Sequence, residues 1–277
     1  MGNSSGVVAN FSPGTSFPAV SVTGSGCDLM CAHCMGRHLC GMIPAGDPGR
    51  LLEIANEVRA RGGEGILISG GSRPDGRVPL APFASAIRKI ADLGLMVNAH
   101  PGIIGREDAG LLASSGVSRF SVDLHQDPEL IANTFNLPGP EVYESTIDEI
   151  LLAGGTPVPH LTAGFGDRDL IKSAELAISR GIFRVVLLAL VPTSKTSFEE
   201  HSVSEKEVTD AAETLLDMGL SVTLGCMRDR RMRSLERKCI ELGVRNIANM
   251  SQETEDWLTS NGFEVIRVRR CCCFGSE

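Results

Sequence analysis

Short runs rich in β-branched and other apolar residues alternate with longer stretches whose apolar positions recur every three or four residues, along almost the whole 277-residue chain. The short runs read as strands and the longer stretches as amphipathic helices, and their regular alternation reads as repeated β–α units on a parallel sheet. Eight strands are predicted, at 17–22, 65–69, 95–99, 118–124, 157–162, 184–190, 220–224 and 245–248. Several are nearly continuous apolar runs, as strands covered on both faces are. Helices are predicted within LLEIANEVRARGG, PLAPFASAIRKIADLG, EVYESTIDEILLAGG, EKEVTDAAETLLDMG and MRSLERKCIELG, each ending in the glycine that accepts a left-handed C-cap. Eight such repeats in roughly 250 residues predict an α/β fold of TIM type, a (β/α)8 barrel, closed or with an incomplete, open wall. No linker-like stretch marks a second domain. The expected organisation is a flexible N-terminal tail over 1–16, the barrel over 17–262, and a cysteine-rich segment over 263–277 folded across the barrel mouth.

Composition narrows the function classes. With 42% hydrophobic and 22% charged residues the chain can bury a substantial core. A net charge of −8 argues against a protein built to neutralise nucleic-acid phosphates, so a small molecule or a protein is the expected substrate. No apolar run approaches the roughly 18 residues of a membrane span. The opening MGNSSGVVANFSPGTS lacks the charged start and apolar centre of a signal peptide, and Gly6 stands where a myristoylation signal wants Ser or Thr. A cytoplasmic protein is expected.

Nine cysteines exceed what packing asks of such a chain, and their clustering suits metal or redox chemistry better than disulfides. Cys27, Cys31 and Cys34 follow the first predicted strand at the spacing C-x3-C-x2-C. Three thiolates can hold three irons of a [4Fe–4S] cube and leave the fourth iron open to a ligand. The rival is a zinc site completed by His33 or His38.

Barrel chemistry gathers just beyond the C-terminal ends of the strands. Those positions hold Ser69, Gly70, Gly71 and Ser72 after the second strand, and Asp123 and His125 two residues apart after the fourth. Alternation along an extended chain points Asp123 and His125 the same way, toward a ligand. His160 lies on the fifth strand, either a core histidine or a site residue. Cys226 follows the seventh strand and Cys271, Cys272 and Cys273 end the chain, enough thiols for Cys226 with Cys272 and Cys273 to ligate an auxiliary iron–sulfur cluster. The basic stretch RDRRMRSLERK beside Cys226 is either a solvated helix start or a docking face for an acidic partner.

CDLMCAHC resembles the cluster motif of the radical S-adenosylmethionine superfamily. That resemblance implies a [4Fe–4S] cluster whose open iron binds S-adenosylmethionine, a 5′-deoxyadenosyl radical, and an electron donor such as ferredoxin or flavodoxin. SGGS resembles the superfamily's glycine-rich motif, with Ser72 in place of its acidic residue, and VPTSKT resembles a biotin-synthase-like loop with Lys195 in place of glycine. Taken together with LGCMR and the terminal cysteines, the chain resembles a biotin-synthase-related group that includes the archaeal-type two-component lipoyl synthase. This implies sulfur insertion into an octanoyl chain on a lipoyl-carrier protein domain, a sulfur-donating auxiliary cluster, and a paired radical S-adenosylmethionine subunit.

Overall fold

A computed structural model describes residues 6–275. Residues 1–5 of the expected tail and the final two residues lie outside the described range. The strands are β1 (Val7–Phe11), β2 (Ala19–Ser21), β3 (Ile43–Pro44), β4 (Gly65–Ser69), β5 (Met96–Ala99), β6 (Arg119–Asp123), β7 (Pro157–Ala163), β8 (Arg184–Ala189), β9 (Ser221–Leu224), β10 (Asn246–Ala248) and β11 (Glu264–Val268). The helices are α1 (Pro48–Ala60), α2 (Ala84–Asp92), α3 (Arg106–Ser114), α4 (Pro128–Phe135), α5 (Glu141–Leu152), α6 (Asp167–Ser179), α7 (Glu205–Asp217), α8 (Leu235–Leu242) and α9 (Gln252–Ser260).

All eight predicted strands are present, and all strand pairs are parallel in one sheet of order β11-β1-β10-β9-β8-β7-β6-β5-β4-β2-β3. The ends β11 and β3 do not pair, so the wall is curled and open, the second of the two barrel forms expected. Val7–Phe11, placed by the sequence pattern in a flexible tail, is instead an internal strand between β10 and β11. Its alternate residues Ala9 and Phe11 are buried, which a tail would not afford them.

Helix starts follow local chemistry. Asp47 caps α1 by accepting from Arg50 N, with Pro48 preset at the first helical position. Ser204 and Glu207 form a reciprocal capping box on α7.

Strand alternation divides the apolar residues into two cores. The larger lies between the sheet and the helices and holds Ile54, Ile87, Ile147, Leu161, Leu187 and Val208. The smaller fills the barrel lumen, where Phe11, Val158, Val186 and Leu188 meet Phe17 and, unexpectedly, Cys272, Cys273 and Phe274.

This second core corrects the expected placement of the C-terminal segment. The segment closes the floor of the barrel, at the strands' N-terminal ends, and does not cover the mouth. Arg270 pairs with Glu64, which immediately precedes β4, at 2.6 Å. Phe274 packs edge-on to Phe17 ahead of β2 at 5.6 Å, lies under the Arg119 guanidinium at the start of β6, and accepts a hydrogen bond from Arg184 at the start of β8 at 2.9 Å. The chain reaches the floor because β11 docks on β1, whose end lies close to the start of β2. No helix among the described residues is long and apolar enough to cross a membrane.

Candidate functional site

The loop after β2 brings Cys27, Cys31 and Cys34 to one wall of a cavity of about 250 Å³. Its other walls include Ser69, Gly70, Gly71, Ser72, His100 and Asp123. The cysteine loop is tied down at several backbone points. Asp28 N and Leu29 N donate to Ser72 O at 2.8 and 3.1 Å, and Ala32 N donates to Thr134 O at 2.7 Å. A side-chain carbon at Gly71 would lie 1.9 Å from Gly26 O and 2.6 Å from Cys27 Cα, so glycine is required for the two loops to pack at all. The double glycine therefore builds the cysteine loop as well as lining the cavity.

Cys31 Sγ donates to Phe135 O at 3.9 Å, and the close approach of Cys31 and Cys34 lowers the Cys34 pKa to about 4. The same approach, aided by burial, raises the pKa of Cys31. Separately, ligand atoms of His33, Cys34 and His38 lie within 4.8 Å of one another, close enough to share a single ion. The expected zinc rival thus has a geometric basis at Cys34, but Cys27 and Cys31 stand outside it.

Asp123 faces the cavity as the sequence predicts, and Asp123 Oδ2 lies 3.3 Å from His100 Nε2. Both are enclosed by the barrel yet reached by solvent, with side chains 46% and 29% exposed. Burial works against both charges, but their attraction prevails: Asp123 is held well below the usual carboxylate range and His100 is raised. His160 stacks on His100 at 5.8 Å, and its own pKa falls to about 4 because burial and the neighbouring His100 charge both disfavour its protonation. Nδ1 of His160 is buried without a hydrogen-bond partner.

His125 does not join them. It is 1% exposed, stacks on Phe135 at 4.2 Å, and its Nδ1 lies 2.8 Å from Asp169 Oδ2. The other Asp169 oxygen accepts from Gln126 N and Asp127 N at 2.6 and 2.9 Å. β6 ends at Asp123, so the extended geometry that would point both side chains the same way stops before His125. His125 secures the turn into α4, and the ligand role expected of it is withdrawn.

Cys226 stands just beyond β9, open to solvent inside the barrel. Two arginines of its own motif fix its backbone: Arg230 donates to Cys226 O at 3.0 Å, and buried Arg228 donates to Gly225 O and to Ala248 O, the latter at 2.8 Å. The basic stretch is therefore largely internal or paired, with Arg228 on Glu236, Arg231 on Asp229, Arg237 on Glu253 and Lys238 on Glu205. Arg230, Arg231, Arg233 and Lys238 of this stretch are nonetheless exposed.

The C-terminal thiols rise from the floor toward Cys226. The close packing of the three adjacent thiols lowers the Cys271 pKa and, together with burial, raises those of Cys272 and Cys273. Asn98 Nδ2 lies 3.5 Å from Cys271 Sγ, and the charge of Cys271 is felt at Cys226, His100 and His160. Cys272 and Cys273 are buried in the lumen core, and Cys271 and Met227, the residue after Cys226, pack against it. Cys271 was left out of the ligand set expected from the sequence.

Lys195 has φ +60°, the left-handed backbone for which the resembling loop carries glycine. The loop keeps that conformation here, with Lys195 N donating to Glu199 at 2.9 Å.

Three thiols on one cavity wall are the donor set that a [4Fe–4S] cluster with an open iron uses. Comparisons with known proteins agree. The chain is 28% identical over 220 residues to the GTP 3′,8-cyclase of Geobacter sulfurreducens, covering 75% of this chain and 66% of that protein, so it spans slightly less than two thirds of the relative's length. Its fold is similar to that of methylornithine synthase PylB, with a TM-score of 0.64 at 14% identity over 91% of this chain and 75% of the other. It is also similar to HydG, a maturase of the [FeFe]-hydrogenase, with a TM-score of 0.70 at 14% identity over 96% of this chain and 65% of the other. The model of the radical SAM superfamily matches residues 21–177, more than half of the sequence, and this chain belongs to that superfamily.

Proposed function

We propose that Cys27, Cys31 and Cys34 hold the [4Fe–4S] cluster that the superfamily implies, and that the enzyme inserts sulfur at an unactivated carbon of a substrate seated in the lumen. When bound, the cluster and S-adenosylmethionine supply a 5′-deoxyadenosyl radical able to take a hydrogen atom from carbon. The residues of this chain place the reactants. The Ser69, Gly70, Gly71 and Ser72 segment offers backbone groups to the methionyl end of S-adenosylmethionine, and Asp123, held ionised by His100, offers acceptors to its ribose hydroxyls. Leu67, Ile103 and Leu137 give the cavity apolar walls suited to an alkyl chain, and the folded floor excludes water from below.

The sulfur-insertion reading is supported by Cys272 and Cys273 in the lumen core, with Cys271 and Met227, the residue after Cys226, packed against it. These thiols can hold an auxiliary iron–sulfur cluster as the sulfur source. The octanoyl substrate on a lipoyl carrier, and a paired subunit, rest on the sequence resemblance around LGCMR and the terminal cysteines. A second reading keeps the radical chemistry but ends in rearrangement or ring formation, and is favoured by the 28% identity to a protein named as a GTP cyclase.

Anaerobic reconstitution followed by incubation with S-adenosylmethionine, reductant and an octanoylated carrier peptide separates the two. Sulfur insertion predicts 5′-deoxyadenosine, a peptide heavier by sulfur, and distinctly more than four irons per chain. 5′-Deoxyadenosine with an unchanged peptide and about four irons favours the second reading.

A further inference from the structure

The cysteine loop carries a second donor set. His33, Cys34 and His38 are, among the described residues, the one group of three or more His, Cys, Asp or Glu whose ligand atoms all lie within 4.8 Å of one another. Cys27 and Cys31 fall outside it. The local backbone makes the grouping. After Cys34 the chain passes through Met35 and Gly36, both in the left-handed region at φ +45° and +74°, and reverses. Met35 N donates to Cys31 O and Arg37 N to Cys34 O, each at 2.9 Å. These bonds close the turn and return His38 to His33, with ring centroids 5.9 Å apart.

The imidazoles are placed to ligate. The His33 ring is held against Phe135 at 5.2 Å and Phe165 at 5.8 Å. Its Nδ1 is nevertheless buried with no hydrogen-bond partner, a state native proteins rarely leave uncompensated. Zinc bonds of about 2.0 Å to nitrogen and about 2.3 Å to sulfur put tetrahedral ligands roughly 3.5 Å apart. A modest rotation of the exposed His38 ring brings the three donors to that spacing. Two imidazoles and one thiolate suit a borderline-soft divalent ion and leave its fourth position to water. All three side chains line the cavity of about 250 Å³ at the mouth, which gives the ion its way in.

We propose that the chain, before it receives a cluster, binds one zinc ion through His33, Cys34 and His38. Cys34 then serves two metals in turn, so the zinc site and the [4Fe–4S] site exclude each other. The exclusion rests on the cluster reading given above, whereas the zinc site stands without it.

The test titrates the full-length, metal-free chain with Co²⁺ under anaerobic conditions, since cobalt takes the zinc geometry and reports its ligands by absorption. One cobalt per chain is expected, with tetrahedral visible bands and a sulfur-to-cobalt charge-transfer band, all displaced by Zn²⁺. His38→Ala should weaken binding more than about tenfold, since even groups that merely orient a metal ligand are worth about 10- to 100-fold in affinity. Cys34→Ala should abolish the charge-transfer band, whereas Cys27→Ala and Cys31→Ala should retain it, with far-ultraviolet circular dichroism verifying that each variant is folded. No tetrahedral cobalt spectrum, binding unchanged by His38→Ala, or a charge-transfer band that survives Cys34→Ala overturns the zinc site. Equal loss in all three cysteine variants assigns the ion to the three thiols and overturns it as well. Iron uptake tests the exclusion: the zinc-loaded chain is expected to take up about four irons fewer than the metal-free chain, and His38→Ala to take up the same iron with or without zinc. Equal uptake by zinc-loaded and metal-free chain overturns the exclusion. Uptake by the metal-free chain that Cys27→Ala leaves unchanged overturns the cluster reading and the exclusion with it, while the cobalt spectra still decide the zinc site.

Discussion

At the scale of single residues, the structure separates groups that sequence proximity joins. Asp123 and His125 are two positions apart, yet one faces the cavity and the other is sealed against Asp169. Replacing Asp169 by Ala would strand a buried imidazole and two backbone N–H groups, and is expected to cost about 3 kcal/mol of stability, read from chemical denaturation. His125→Ala should likewise lower the melting temperature while leaving the KM for S-adenosylmethionine unchanged within twofold. A large rise in KM without a stability loss would return His125 to the binding site.

The Asp123–His100 pair makes a pH prediction of definite sign. The folded-state pKa of His100 lies above its ordinary 6.5, so its contribution to stability is full below that value and is lost as pH rises through the folded pKa. That of Asp123 lies below its ordinary 3.8, so its contribution is present above that value and is lost as pH falls through the folded pKa. Between the two the pair is complete. His100→Gln is therefore expected to flatten the loss of melting temperature on the alkaline side, an effect kept small by the solvent that reaches the pair.

At the scale of elements, all eight predicted strands appear because a strand buried on both faces writes a dense apolar run into the sequence. β1, β3 and β11 escape notice for the opposite reason. β1 (VVANF) is broken by Asn10, β3 spans two residues, and β3 and β11 are sheet edges with largely exposed residues, so no continuous apolar signal marks them. The position of the C-terminal thiols was equally unreadable. It depends on β11 pairing with β1, a contact between opposite ends of the chain with no local pattern. The placement of the first cysteine loop directly after a strand, by contrast, was legible from the sequence. Gly71→Ala tests how the elements cooperate: with the added carbon 1.9 Å from Gly26 O, the loop must shift, and iron bound by the first site should fall at least severalfold while the barrel remains folded by circular dichroism.

At the scale of the whole molecule, an open curled sheet carries one group of cysteines at its mouth and another on its floor. Cys27, Cys31 and Cys34 arrive by a loop at the strands' C-terminal side, Cys226 stands just beyond β9 on that side, and Cys271, Cys272 and Cys273 arrive from beneath. The C-terminal floor is also structural, since Phe274 fills the lumen core against Phe17, and Phe274→Ala is expected to cost about 3 kcal/mol. Its substitution should lower activity through the floor's position even though it touches no mouth residue. The most direct measurement is the iron and sulfide content of the anaerobically reconstituted protein, compared with a variant in which Cys226, Cys271 and Cys272 are alanine. Two clusters predict about eight irons per chain in the natural sequence and about four in the variant, with 5′-deoxyadenosine formation retained. Equal iron content in the two proteins, at about four per chain, would contradict the account.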